Sequence, residues 1–101
     1  MSILESVGNT PMVKLSNNLY AKLETYNPTG SIKDRIAKYI LSKAEWRGEV
    51  KPGDTIVEAT SGNTGIAFSM LGSLKGYNVK IIMPSNMSEE RKQMMRLFGA
   101  E

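Results

Sequence analysis

The stretch NPTGSIKDR, residues 27–35, decides the fold predicted for this chain of 101 residues. Pro28 and Gly30 mark a turn, because proline presets φ and glycine accepts backbone conformations that other residues avoid. Ser31 follows where the N-cap of a helix is expected, and Asp34 comes three residues later, as in a short-armed capping box. The stretch therefore predicts a turn that opens directly into a helix.

The helix predicted after this turn runs from Ile32 to about Arg47 and is ended by Gly48. Four apolar residues recur along it at every fourth position, which predicts a single apolar face. They are Ile32, Ile36, Ile40 and Ala44. Lys33 is expected at the second helical position, where the partial positive charge of the helix amino end disfavours a cation by up to about 1 kcal/mol.

The position of Lys33 alone leaves two interpretations open. In the first, its amine is solvated on the surface, as most lysine amines are. In the second, the amine is neutral for part of the time and attacks a carbonyl carbon, and the helix dipole and partial burial help to perturb it. The rest of the sequence has to decide between them.

A second stretch, residues 55–65, combines a strand, a loop and the start of a helix. The β-branched, apolar sequence TIV at 55–57 is followed by EATSGNTG at 58–65. A helix is predicted from Thr64 to about Lys75, with Gly76 as its C-cap. Backbone N–H groups and hydroxyls at such a helix start suit a carboxylate or a phosphate, although many loops of this kind contain glycine and serine for steric reasons alone.

This second helix is predicted to connect two parallel strands. The sequence VKIIM at residues 79–83 is strand-like and is halted by Pro84, so that strand, helix and strand form a βαβ unit with a right-handed crossover. Ser88 is the predicted N-cap of a last helix, which Gly99 ends. Since a further strand should follow, we expect residues 1–101 to be the amino-terminal part of a longer catalytic domain.

The composition excludes several classes of site. The sequence contains no cysteine and no histidine, so disulfides, thiolate metal sites and sites built on histidine are excluded. It has 13 lysines and arginines and 10 acidic residues, but the charges are interspersed, and no basic patch predicts nucleic-acid binding. With no predicted signal segment or membrane span, a cytoplasmic protein without membrane partners is the expectation.

Four segments, in order and at matching separations, resemble one family of enzymes. They are residues 8–13 (GNTPMV), 27–35, 60–65 (TSGNTG) and 83–101. The second resembles the Schiff-base lysine motif, and the third the substrate-binding loop, of the pyridoxal phosphate (PLP) β-family typified by cysteine synthase and cystathionine β-synthase. The resemblance implies an α/β fold: the amino-terminal part of a tryptophan-synthase-β-like PLP enzyme, of three-layer sandwich type, with a parallel βαβ unit and incomplete within residues 1–101.

The resemblance also implies roles for individual residues. Lys33 would be the catalytic residue that holds PLP as a Schiff base and then removes the Cα proton of the substrate. Asn63 would bind the ring oxygen of the cofactor. The loop would bind the substrate carboxylate through Thr60, Ser61, Gly62 and Thr64. For Thr60, a simple role in the turn after the strand remains open, and Asp34 and Arg35 are expected to act as a cap and a surface ion-pair residue.

The reaction implied is β-replacement, in which sulfide displaces the leaving group of O-acetylserine or O-phosphoserine to give cysteine. Reactions like those of cystathionine β-synthase and diaminopropionate synthase remain alternatives. The resemblance implies a homodimer at full length, whereas the 101 residues alone are expected to be inactive, because relatives place their phosphate cup and pyridine-nitrogen contact beyond this length. An alternative of another class is a non-catalytic fragment that packs against a partner.

Overall fold

The computed structural model describes residues 2–60 and 62–101. A short helix comes first, a hairpin of two antiparallel strands follows it, and the rest of the chain alternates between helices and strands. The elements in chain order are α1 (Ile3–Ser6), β1 (Met12–Ser16), β2 (Leu19–Lys22), a 3₁₀ turn (Glu24–Tyr26), α2 (Lys33–Trp46), β3 (Thr55–Ala59), α3 (Asn63–Lys75), β4 (Asn78–Ile82) and α4 (Glu89–Leu97). Among these helices, none is both long and apolar enough to cross a membrane.

The predicted βαβ unit is confirmed. Strands β3 and β4 pair in parallel, with Thr55 opposite Asn78 and Ala59 opposite Ile82. Helix α3 connects them and ends at Gly76, which adopts the left-handed conformation at φ 84° and donates its N–H to a backbone carbonyl of the last helical turn. The local signals in the sequence were sufficient here, because a glycine C-cap and a β-branched strand act over only a few residues.

Helix α3 is the centre of the hydrophobic core. Eight consecutive residues in its middle, 65–72, are buried. Gly72 allows this close packing, because a Cβ atom at that position would lie 2.2 Å from Cγ2 of Val79. The buried cluster around α3 consists of Val7, Ala37, Leu41, Ala67, Phe68, Met70, Leu71 and Tyr77.

The β3–β4 sheet has one covered and one open face. Ile56 packs against the core and Val79 is buried, whereas Val57 and Ile82 on the opposite face are 59% and 61% exposed. This alternation follows from the period of two along a strand. Residues 2–60 and 62–101 thus supply two of the three layers that the resemblance implies.

Helix α2 packs on α3 through a different face from the one predicted. Ala37 and Leu41 belong to the core cluster, whereas the predicted apolar face of isoleucines is 42–51% exposed at Ile32, Ile36 and Ile40. The prediction was wrong because α2 carries two apolar stripes, and its spacing does not say which stripe meets α3. Contact with α3 buries the stripe of Ala37 and Leu41, where the small side chain of Ala37 allows close approach.

The chain end adds a third partner to the sheet. Glu101 donates its N–H to the carbonyl of Val79 at 2.9 Å and accepts from the N–H of Ile81 at 2.7 Å. Glu101 thus bonds to the residues on either side of Lys80, which is the hydrogen-bond pattern of a parallel pair of strands. Glu101 lies where the sequence predicts that a further strand begins.

Candidate active site

The turn in front of Lys33 is fixed by Asp34. The side chain of Asp34 is fully buried, and its carboxylate accepts the backbone N–H of Thr29 at 2.8 Å and also the Thr29 hydroxyl. The Ser31 hydroxyl accepts the N–H of Lys33 at 3.1 Å. The turn is thereby closed from both sides, and Lys33 begins the helix in a defined position.

This arrangement corrects the predicted capping box. Helix α2 begins at Lys33, with Ile32 rather than Ser31 in the N-cap position, so that Lys33 is the first helical residue and not the second. The carboxylate of Asp34 turns back to Thr29 instead of accepting the backbone N–H of Ser31 as in a capping box. Sequence reasoning missed Thr29, although a hydroxyl residue inside a proline-glycine turn could have suggested a partner for the acid.

Arg35 joins the lysine helix to the opening segment of the chain. Its guanidinium binds the carboxylate of Glu24 through Nε at 2.6 Å and Nη2 at 3.1 Å. Nη2 also donates to the carbonyl of Gly8 at 3.0 Å and to the hydroxyl of Thr10 at 3.1 Å. The hydrogen bond from Arg35 is the largest cause that lowers the pKa of Glu24 to about 2, and the hydrogen bond from Thr10 is the next largest. Arg35 does form the expected ion pair, but the pair is partly buried. It links α2 to the 3₁₀ turn and to residues 8–10.

Asn27 reinforces the same junction. It is 4% exposed, its side-chain oxygen accepts the N–H of Gly8 at 2.9 Å, and its amide donates to the carbonyl of Glu24 at 2.9 Å. The segment at residues 8–10 and the lysine stretch, which the sequence showed only as separate motifs, therefore form one hydrogen-bonded unit.

Helices α2 and α3 pack in one core cluster, and an ion pair joins their carboxyl-terminal parts. Glu45 of α2 pairs with Lys75 of α3 and accepts the hydroxyl of Tyr77 at 2.8 Å. The hydrogen bond from Lys75 lowers the pKa of Glu45, while burial and the Glu45 carboxylate raise the pKa of Tyr77 to about 12. Each partner of the ion pair lies twelve residues beyond the first residue of its helix, Lys33 in α2 and Asn63 in α3.

Helices α2 and α3 both contribute to the core cluster, and their carboxyl-terminal parts are in contact. At 1.5 Å per residue, the first residue of each helix lies about 18 Å along its own axis from the ion pair. We therefore infer that the two helices run in the same general direction and that Lys33 and the loop before Asn63 lie toward the same side of the molecule.

The loop after β3 is held by the hydroxyl of Thr60. Its Oγ1 accepts the N–H of Gly62 at 3.2 Å and the N–H of Gly65 at 3.1 Å. Thr60 therefore has the turn role that its sequence position left open, while its own hydroxyl hydrogen can still be donated. Ser61, the next residue predicted to bind substrate, lies outside the described residues.

Two backbone N–H groups at the start of α3 have no acceptor within residues 2–60 and 62–101, those of Asn63 and Thr64. The side chain of Asn63 is exposed, Thr64 is half-buried and Gly62 is buried. Unpaired N–H groups at the positive end of a helix dipole are suited to an anion such as a carboxylate.

The amine of Lys33 is similarly unengaged. Among the described residues it makes no hydrogen bond and no ion pair, and the residue is half-buried. A free amine, the side-chain amide of Asn63 and a helix start with open N–H groups are the kinds of group that bind the aldehyde, the ring oxygen and the substrate carboxylate in PLP chemistry. The residues present fit this part of a PLP site.

The chain belongs to the family of pyridoxal-phosphate-dependent enzymes, whose family model matches residues 3–101. It is 54% identical to cysteine synthase B of Escherichia coli (strain K12), and the match covers 100% of this chain and 36% of that protein. The class of enzyme that the lysine and loop motifs resemble is therefore confirmed, and the cofactor of that class is PLP.

Solved structures of relatives have the same fold over this region. O-ureido-L-serine synthase superposes with a TM-score of 0.91 at 43% identity, over 99% of this chain and 34% of that one. O-acetyl serine sulfhydrylase isoform 3 from Entamoeba histolytica superposes with a TM-score of 0.91 at 44% identity, over 99% and 33%. The chain spans about a third of the length of these relatives, so the fold is confirmed for that third.

Proposed function

We propose that the protein is a PLP-dependent β-replacement enzyme of the cysteine synthase kind, which converts O-acetylserine or O-phosphoserine and sulfide into cysteine. The observation that carries this proposal is the contact between α2 and α3 at Glu45 and Lys75, each twelve residues after a helix start, which is Lys33 in α2 and Asn63 in α3. The identity to cysteine synthase B and the likeness to O-acetyl serine sulfhydrylase support it.

Lys33 has two tasks in this proposal. Its amine would hold the cofactor, and the same amine, once released, would remove the Cα proton of the substrate. When bound, PLP supplies the electron sink that makes this proton acidic. The Cβ–O bond then breaks and releases acetate or phosphate, a Cβ–S bond forms with sulfide, and the proton returns from Lys33 to Cα. The carbon skeleton thus keeps its hydrogen and exchanges one substituent.

The loop before α3 orients the substrate. The open N–H groups of Asn63 and Thr64 would bind the carboxylate, with the hydroxyls of Thr60, Ser61 and Thr64 as further donors. Holding the carboxylate fixes the rotation about the Cα bonds, so that the Cα–H bond points to the Lys33 amine. The side-chain amide of Asn63 would meet the ring oxygen of the cofactor.

The choice of leaving group and nucleophile is not decided by this part of the fold. The relatives named for O-ureido-L-serine and for O-acetyl serine superpose equally well on it, at TM-scores of 0.91 and 0.91. Reactions like those of cystathionine β-synthase and diaminopropionate synthase are the alternatives within the family. Parallel assays with O-acetylserine, O-phosphoserine, and serine with homocysteine discriminate among them.

We further propose that residues 1–101 alone are inactive and that the full-length enzyme is a cytoplasmic homodimer. Among the described residues, the open sheet face with Val57 and Ile82 and the exposed stripe of Ile36 and Ile40 on α2 favour association over catalysis for the isolated chain. The isolated chain with added PLP should show no stable cofactor absorbance and no sulfide-dependent cysteine formation. A monomer with both properties would contradict this.

Substitution of two lysines on the same helix tests the function. In the protein expressed from its natural reading frame, Lys33→Ala should abolish cysteine formation from O-acetylserine and sulfide, whereas the control Lys38→Ala should retain it. A Lys33→Ala variant with wild-type turnover would overturn the proposal.

A further inference from the structure

Gly62, in the N-cap position of α3, is covered by the side chain of Arg91 from α4. A Cβ atom at Gly62 would lie 2.6 Å from Nη1, 2.9 Å from Cζ and 3.1 Å from Nε of Arg91. Three atoms of one guanidinium at such similar distances mean that the planar group lies broadside against the glycine. Gly62 is buried for this reason, although it belongs to a polar loop.

The contact belongs to a larger interface between α4 and the loop. Met95, one helical turn after Arg91, is 3% exposed, and its Cε would lie 3.0 Å from a Cβ atom at Gly65. Residues four apart lie on one face of a helix, so α4 meets the loop with an arginine at one end and a methionine at the other. The start of the helix is also defined, because the N–H of Arg91 donates to the Ser88 hydroxyl at 3.4 Å.

The position of this arginine has an electrostatic consequence. The amino end of α3 already carries partial positive charge, and the guanidinium adds a full charge of the same sign next to the loop. This charge favours the binding of a carboxylate at the N–H groups of Asn63 and Thr64. Planar arginine also restricts the loop by contact, which a flexible lysine would do poorly.

We propose that Arg91 is a positioning residue for the substrate carboxylate: its guanidinium packs on Gly62, fixes the loop in its binding conformation and raises the affinity of the loop for an anion. This inference rests on the proposed function, because it takes the loop to be the carboxylate site. Arg91 does not touch the reacting atoms, and Lys33 and its turn belong to a different part of the site.

Hydrogen exchange tests the positioning part without any need for turnover. Three amides report on the loop: Gly62 and Gly65, which donate to Thr60, and Ile66, which donates to the carbonyl of Gly62. In Arg91→Gln these amides should exchange about tenfold faster than in the wild-type protein. The matched control Arg96→Gln removes the same charge from an exposed site on the same helix and should leave them unchanged.

Kinetics and cofactor loading test the functional part. Arg91→Gln should raise KM for O-acetylserine about tenfold with little change in kcat, and Arg91→Lys should recover only part of the loss. Borohydride reduction should still place the pyridoxyl label on Lys33 at the wild-type level. The proposal is overturned if Arg91→Gln and Arg96→Gln have the same amide exchange rates and the same KM. It is also overturned if the PLP content of Arg91→Gln falls by the same factor as its affinity for substrate. A wild-type protein without label on Lys33 would refute the proposed function instead, and the exchange result would still decide whether Arg91 holds the loop.

Discussion

Replacing Thr29 by valine should destabilise the protein by about 2 kcal/mol, because it removes a hydrogen bond to a buried charge. The Thr29 hydroxyl donates to the carboxylate of Asp34, which is 0% exposed. Valine has nearly the same shape but no donor, so that one carboxylate oxygen loses a partner that water cannot replace. The N–H of Thr29, at 2.8 Å from the other oxygen, is retained and limits the loss to one bond.

The expected loss of stability follows from the one hydrogen bond that Thr29→Val removes and the one that it keeps. Hydrogen bonds to charged groups contribute about 1.5–3 kcal/mol, and Thr29 is only half-buried, which favours the lower half of that range. A loss of about 2 kcal/mol raises the equilibrium constant of unfolding about 30-fold. The control is Thr29→Ser, which keeps the hydroxyl and gives up one methyl group, at a cost of about 0.5–1 kcal/mol.

Urea unfolding followed by circular dichroism measures the difference between these two variants. We expect Thr29→Val to have a lower midpoint than Thr29→Ser with the same m-value, since the surface exposed on unfolding is unchanged. Equal midpoints for the two variants would refute the interpretation of Asp34 as the residue that fixes the lysine turn through this hydroxyl.

Three further outcomes follow from the contacts. The hydrogen bond from Arg35 lowers the pKa of Glu24 from 4.5 to about 2, so its contribution to stability is present above about pH 4.5 and is lost as the pH falls toward 2. Glu24→Gln should lack this part of the acid dependence of the free energy of unfolding, and an unchanged acid dependence would contradict it. Gly65→Ala would place a Cβ atom 2.4 Å from the Cγ2 methyl of Thr60, so it should lower the free energy of unfolding by about 1–3 kcal/mol. A melting temperature equal to that of the wild-type protein would contradict this prediction. Leu71 is 0% exposed, so Leu71→Ala should lower the free energy of unfolding by about 3 kcal/mol. Leu74 on the same helix is 46% exposed, so Leu74→Ala should lower it by less than about 1 kcal/mol. Equal losses for the two variants would be evidence against the described core.

Features set by neighbouring residues could be predicted from the sequence. The parallel βαβ unit, the glycine end of α3 and the cap of α4 by Ser88 depend on patterns of two to four residues, and all three are present. The order of the motifs also identified the family correctly, because each motif is a continuous stretch of sequence.

Features set by distant residues could not be predicted. Arg35 bonds to the carbonyl of Gly8, 27 residues away, and Arg91 covers Gly62 from another helix. No periodicity or spacing encodes such contacts, since they depend on how the elements pack. The buried stripe of α2 was assigned wrongly for the same reason, because both stripes are apolar and only contact with α3 distinguishes them.

The central claim is that the amine of Lys33 carries the chemistry at the face where α2 and α3 begin. Borohydride reduction of the protein in the presence of PLP, followed by peptide mapping, tests it most directly. The account predicts a pyridoxyl label on Lys33 within the peptide that contains residues 27–35. A label on another lysine, with Lys33 unmodified, would contradict it.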